Sequence, residues 1–215
     1  MTILLADDHH VLRHGLRALL EAEPEFSVVG EAEDGIRAAE MLEGLQPDVI
    51  VLDLMMPRLN GLEVARQARR LSPRTSVVIL SMYEDEAYVI EALRAGAMAY
   101  VLKSSTSDDL VTAIREAAAG RRYLAPPLSE RAIQAYVQTA EATALDLPQT
   151  LTAREREVLQ LAAEGYTTSQ IADTLCISQR TAQTHRTNLM NKLGLHTQTE
   201  LVRYAIRRGI LPAEK

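Results

Sequence analysis

Asp53 closes a short apolar, β-branched run, Asp48-Val-Ile-Val-Leu52, that Pro47 and Pro57 bracket and that reads as a buried strand. A carboxylate at such a strand end sits at the mouth of a sheet, and open α/β sheets bind their ligands at that edge. Four further features stand where apolar runs end: Asp7-Asp8 after the first, Ser81 after the fourth, and Lys103 after the fifth, with Tyr100 just inside it. On parallel strands these ends share one edge and converge on Asp53. Three clustered carboxylates repel one another and favour a cation, and an oxygen donor set with no required His or Cys favours Mg2+. A carboxylate held beside Mg2+ can attack phosphorus and form an aspartyl phosphate. The Lys103 ammonium and the Ser81 hydroxyl are donors that a transferring phosphoryl group needs. Each residue also has a plainer role: Asp53 as a loop cap, Asp7-Asp8 as caps of the first helix, Ser81 as a turn hydroxyl, Lys103 as a solvated cation. Their joint placement at the strand ends is what favours the pocket.

The elements that must position them alternate. Apolar strand-like runs cover 2–6, 26–30, 48–52, 75–80 and 99–102. Helical spacing covers 11–21, 35–45 with Asp34 as its candidate N-cap, 62–71, 84–95 up to Gly96, and 108–119 up to Gly120. Residues 54–61 form a loop, with Pro57 and Asn60-Gly61 as turn signals. Five strand–helix units within about 120 residues imply a five-stranded parallel sheet with helices on both faces and right-handed crossovers. Residues 121–149 break the pattern at Ala125-Pro-Pro127 and read as a linker, with a helix expected over 129–143 whose apolar side is Ile133, Tyr136 and Val137.

From Thr152 the spacing is helical throughout. Thr152-Ala-Arg-Glu155 is a capping box. A helix to Glu164, a short helix over 169–175, a tight turn at Cys176-Ile177, a longer helix from Ser178 to Leu193 and a fourth over 197–208 give a small four-helix, helix-turn-helix domain over 150–215. In the 178–193 helix, Ala182, Leu189 and Leu193 share the inward stripe. Arg180, Gln183, Thr184, Thr187, Asn188 and Asn191 lie largely elsewhere, a polar and weakly basic face that suits the major groove of double-stranded DNA. Arg180, Arg186 and Lys192 are the phosphate candidates. A solvated face on a protein-binding bundle is the plainer alternative.

Residues 1 to about 120 resemble the receiver domain of two-component response regulators, on Asp7-Asp8, Asp53 with its Met-Pro-x-x-Asn-Gly loop, Ser81, Tyr100 and Lys103. The resemblance implies a flavodoxin-like fold, Asp53 as phosphoacceptor, and Mg2+ held by Asp8, Asp53 and the backbone carbonyl of Met55 with Asp7 in support. It makes Ser81 and Lys103 the phosphoryl sensors and Tyr100 an aromatic switch. Ser81 stands where the family often has Thr; the hydroxyl is kept. Residues 151 to about 211 resemble the LuxR-type helix-turn-helix, on Leu-Thr-Ala-Arg-Glu-Arg-Glu-Val-Leu, Gly165, Ile171-Ala172, Leu175, Ile177-Ser178, Thr181, His185 and Lys192-Leu193. Together they resemble the NarL/FixJ type. Thr168-Ser-Gln170, Ala182 and Gln183 depart from the family's common Asn-Lys-Glu, Val and Lys, removing charge beside DNA, with a lower sequence-independent affinity or a changed base preference as the expected result. The resemblance implies a phosphorylation-dependent DNA-binding transcription regulator with a sensor histidine kinase as donor and a homodimer when phosphorylated or DNA-bound, rather than an enzyme.

Composition agrees with two domains. Residues 150–215 hold 9 Lys+Arg against 6 Asp+Glu, whereas 1–149 hold 14 against 23. The acidic part is a poor polyanion binder and the C-terminal part can meet phosphates. No apolar run reaches membrane-spanning length and no signal peptide is evident, so the cytoplasm is the expected compartment. Cys176, the single cysteine, is expected as a small core residue. His9, His10 and His14 are expected as surface residues at the first helix, not phosphorelay groups. Two rival functions remain. An aspartyl-phosphate phosphatase would need steady turnover of small phosphoesters. A phosphorylation-independent DNA binder would show equal affinity with and without a phosphoryl mimic.

Overall fold

A computed structural model describes residues 1–126, 128, 151–208 and 210–211; the expected linker helix over 129–143 lies outside them. The chain divides into two compact units, Met1–Ala142 and Thr143–Lys215.

The first unit alternates strand and helix: β1 (Thr2–Ala6), α1 (His10–Glu21), β2 (Ser27–Ala32), α2 (Gly35–Leu45), β3 (Val49–Asp53), α3 (Gly61–Leu71), β4 (Ser76–Ser81), α4 (Glu86–Ala95), β5 (Ala99–Leu102), α5 (Ser107–Ala118) and β6 (Tyr123–Leu124). All strands pair in parallel, in the order β2-β1-β3-β4-β5-β6. Among the described residues the sheet therefore has six strands, not the expected five. A two-residue strand carries no readable period; β6 exists because Tyr123 N–H donates to Met98 O and Ala125 N–H to Tyr100 O. Ala125 and Leu128 are buried behind it, so the start of the expected linker is part of this unit.

The β period of two sorts the apolar residues to the two faces. Leu4, Ile50, Leu52, Ile79 and Tyr100 pack in one cluster with residues of α2, α3 and α4. Ile3, Leu5, Val49, Val51, Val78 and Val101 pack in the other with α1 and α5. Central strands buried on both faces explain why they read as unbroken apolar runs rather than alternating ones. Each fully buried Leu or Ile contributes roughly 1.5–3 kcal/mol.

The helix starts are fixed by side chains that accept from the first-turn amides: Asp34 for α2, Asn60 for α3, Asp85 for α4 and Thr106 for α5. Asn60 is thus a cap, and Gly61 the first helical residue. A Cβ on Gly61 would stand 2.2 Å from the Asp53 carbonyl oxygen, so only glycine lets the loop close against β3.

The second unit contains α6 (Ala153–Ala163), α7 (Thr168–Thr174), α8 (Gln179–Leu193) and α9 (Gln198–Arg207). Thr152, Thr167, Ser178 and Thr197 cap them. Val158, Leu159, Leu161, Ile171, Ala182, Leu189, Leu201 and Ala205 form its interior. Cys176 is not a core residue: it is exposed in the turn between α7 and α8, with φ +53°. Leu175 takes the inward position and the left-handed backbone of the next residue turns the thiol to solvent.

Candidate functional site

The register decides which strand ends meet. Ala6 pairs with Leu52, Asp53 with Leu80, and Ser81 with Leu102, so Asp7, Asp53, Ser81 and Lys103 emerge side by side. Asp53 itself is the last residue of β3 and is 5% exposed. The Lys103 ammonium lies 2.7 Å from Asp53 Oδ2 and 2.8 Å from Asp7 Oδ2. Burial pushes the Asp53 carboxyl up to about 6, against the opposing pull of Lys103, while neighbouring Asp7 adds to the rise. Burial works against the Lys103 charge, but Asp53 and Asp7 outweigh it and hold the ammonium above its ordinary range.

Asp7, Asp8, His9 and Asp53 each bring a ligand atom within 4.8 Å of the others. Asp7 Oδ2 is buried and accepts no hydrogen bond of good geometry, although the Lys103 ammonium is beside it. Three carboxylates facing one ammonium leave excess negative charge. The three carboxylates fit a hard divalent cation. Met55 belongs to this loop, where its N–H donates to Asp53 Oδ1 at 3.3 Å.

Ser81 and Tyr100 grip one residue from two sides. Tyr83 N–H donates to Ser81 Oγ at 3.1 Å, and the Tyr100 hydroxyl donates to Tyr83 O at 2.7 Å. Both side chains are buried, and burial pushes the Tyr100 hydroxyl well above its ordinary range. Tyr83 is a backbone relay that no sequence motif announces, since any residue has an N–H and a C=O.

On α8, Arg180, Gln183, Thr184, Thr187 and Asn188 are all exposed. Gln183 bonds Thr168 Oγ1 at 3.2 Å and Thr187 Oγ1 at 3.4 Å, while the Thr184 hydroxyl donates back to Arg180 O. Lys192 is exposed as well but sits in an ion pair. Its ammonium sits 2.7 Å from Glu155 Oε2, a buried carboxylate that also closes the Thr152 capping box. Arg186 bonds the Gln198 side chain at 2.7 Å. The sequence marks Glu155 only as a cap; its second oxygen-bound partner lies 37 residues away. Among the described residues no helix is long and apolar enough to cross a membrane.

Two family models match the chain: the response regulator receiver domain over residues 3–115, and the bacterial regulatory proteins of the luxR family over 149–205. The transcriptional regulatory protein DegU of Brevibacillus brevis is 35% identical, with 96% of this chain and 93% of DegU covered. The oxygen regulatory protein NreC of Staphylococcus carnosus is 36% identical, with 98% and 99% covered. A solved structure of two RcsB dimers bound to two parallel DNAs is similar at 28% identity and a TM-score of 0.57, covering 95% of this chain and 96% of that one. With both family models matched in order and relatives alike along nearly their whole length, the chain belongs to the NarL/FixJ-type two-component response regulators, DNA-binding transcription regulators that join a receiver domain to a LuxR-type helix-turn-helix.

Proposed function

We propose that Asp53 accepts a phosphoryl group from the phosphohistidine of a sensor histidine kinase, and that this modification controls DNA binding by the second unit. The observation that carries the reading is the Lys103 ammonium within 2.8 Å of both Asp53 and Asp7 at the convergence of three strand ends. An Asp53 carboxylate oxygen attacks phosphorus. The O–P bond forms as the P–N bond breaks, and the electron pair leaves on the imidazole nitrogen, which takes a proton from solvent. Asp8, Asp53 and the Met55 backbone carbonyl would hold Mg2+, with Asp7 in support. When bound, that ion supplies positive charge to the phosphoryl oxygens. Lys103 exchanges part of its carboxylate pairing for a phosphoryl oxygen. Ser81 Oγ accepts from Tyr83 N–H and its hydroxyl interacts with that of Tyr100, so recruiting it to the phosphoryl group pulls on both residues. Phosphorylation then shifts an equilibrium between two receiver surfaces.

The output side rests on α8, with Arg180 on phosphate and Gln183, Thr184, Thr187 and Asn188 toward base edges. RcsB binds DNA as dimers, which supports a homodimer on DNA for this chain. The proposed division is a receiver over 1–120 extended by β6, a linker to 149, and a DNA-binding domain over 150–215, acting in the cytoplasm. Radiolabelled acetyl phosphate or a phosphorylated kinase tests the core of this reading. Asp53→Asn is expected to lose all acid-stable, base-labile label; label that persists in the variant overturns the assignment.

A further inference from the structure

His9 occupies the N-cap position of α1, where histidine is a poor choice, and its side chain caps no backbone N–H. The imidazole instead turns back over the acidic pocket. Nδ1 lies 2.8 Å from Asp8 Oδ1 and 3.3 Å from Asp7 Oδ1, while the His9 backbone N–H donates to that same Asp7 oxygen. The 2.8 Å contact is a direct His9–Asp8 ion pair or hydrogen bond; two ligands at right angles on an ion with bonds of about 2.1 Å stand about 3.0 Å apart, so an ion that replaces this contact finds both atoms already at the spacing of neighbouring ligands. The side chain is 68% exposed, so solvent and ions reach it.

We propose that His9 Nδ1 is a ligand of the divalent ion this pocket takes, and that it biases the pocket toward borderline ions of the Co2+ to Zn2+ range. The inference rests on the reading of Asp8 and Asp53 as metal ligands. Carboxylate and carbonyl oxygens alone make a hard site suited to Mg2+. An imidazole nitrogen adds a donor that Co2+ and Zn2+ bind well and that Mg2+, which keeps its waters, uses poorly. His10 and His14 stack one turn apart with ring centroids 6.0 Å from each other, outside the four-residue cluster. They are the competing nitrogen source and must be separated from His9.

Metal-free full-length protein titrated calorimetrically with Mg2+ and with Co2+, alongside the visible spectrum of the Co2+ form, provides the test. The proteins compared are wild type, His9→Gln, the double variant His10→Ala/His14→Ala, and Asp53→Asn. The ratio of Co2+ to Mg2+ affinity is expected to fall about tenfold or more in His9→Gln, with a changed Co2+ spectrum. The double variant is expected to keep the wild-type ratio. An unchanged ratio in His9→Gln, or a loss carried by the double variant, overturns the role of His9 and leaves the pocket standing. If Asp53→Asn weakens neither ion, the pocket reading falls and His9 with it.

Discussion

Asp53 costs the metal-free protein stability at neutral pH. Its carboxyl is raised to about 6 chiefly by burial, above its ordinary value near 4 in an unfolded chain. A carboxyl with a raised folded value favours the folded state when protonated. That contribution is fully present below about pH 4 and is lost as pH rises through about 6. Asp53→Asn removes the charge and leaves Lys103 paired with Asp7. It is expected to stabilise metal-free protein at pH 7.5 by about 1–3 kcal/mol, with the gain gone at pH 4, as read by urea denaturation. Saturating Mg2+ is expected to stabilise wild type and to narrow the gap. A variant no more stable than wild type at pH 7.5 would contradict this account. At this scale the sequence was highly legible for Asp7, Asp53, Ser81 and Lys103, because strand ends of a parallel sheet are predictable meeting points. It did not give the hydrogen bonds of Tyr83 to Ser81 and Tyr100, which backbone atoms carry, and was wrong about Cys176, because one left-handed residue decides which way a turn faces.

Elements position these residues through close approaches and caps. The α3 start closes against β3 only because Gly61 has no Cβ. Gly61→Ala is expected to cost about 1–3 kcal/mol and to weaken metal binding, since relief of the clash must move the Asp53 carbonyl or the loop holding Met55. Matched denaturation and Mg2+ titration check both effects. In the second unit, Lys192 ties the end of α8 to the start of α6 through Glu155. Lys192→Met would strand a carboxylate that is 3% exposed, although the lysine side chain is itself 38% exposed. The expected loss is about 1–2 kcal/mol, below that of a fully buried pair. The slope of log affinity for DNA against log salt is expected to stay at its wild-type value in that variant. In Arg180→Ala the slope should fall by about one. Equal slope changes in the two variants would show that Lys192 contacts DNA as Arg180 does. Helix bounds and caps of this unit followed from Thr152, Ser178 and Gly194 in sequence; the Lys192–Glu155 pair did not, because it joins elements far apart in the chain.

The whole molecule is two units of opposite charge balance, each with its own apolar interior. Independent cores imply that residues 143–215 fold alone, with a cooperative thermal transition of their own. That fragment is expected to bind promoter DNA with no response to acetyl phosphate, whereas the full chain gains affinity. Circular dichroism and a fluorescence anisotropy titration check the two halves of the expectation; a fragment that is unfolded, or a full chain blind to acetyl phosphate, would refute it. The sequence by itself determined the alternation of strands and helices, the chemistry-bearing residues at the strand ends, and the two-domain division. These follow from local periodicity, capping and the one-edge rule of parallel sheets. Only the tertiary structure decided that β6 joins the sheet, that Lys103 stands between Asp53 and Asp7, that Ser81 and Tyr100 share Tyr83, and that His9 faces the acidic pocket. Each depends on hydrogen bonds or burial between residues distant in the chain, and no local pattern encodes those distances.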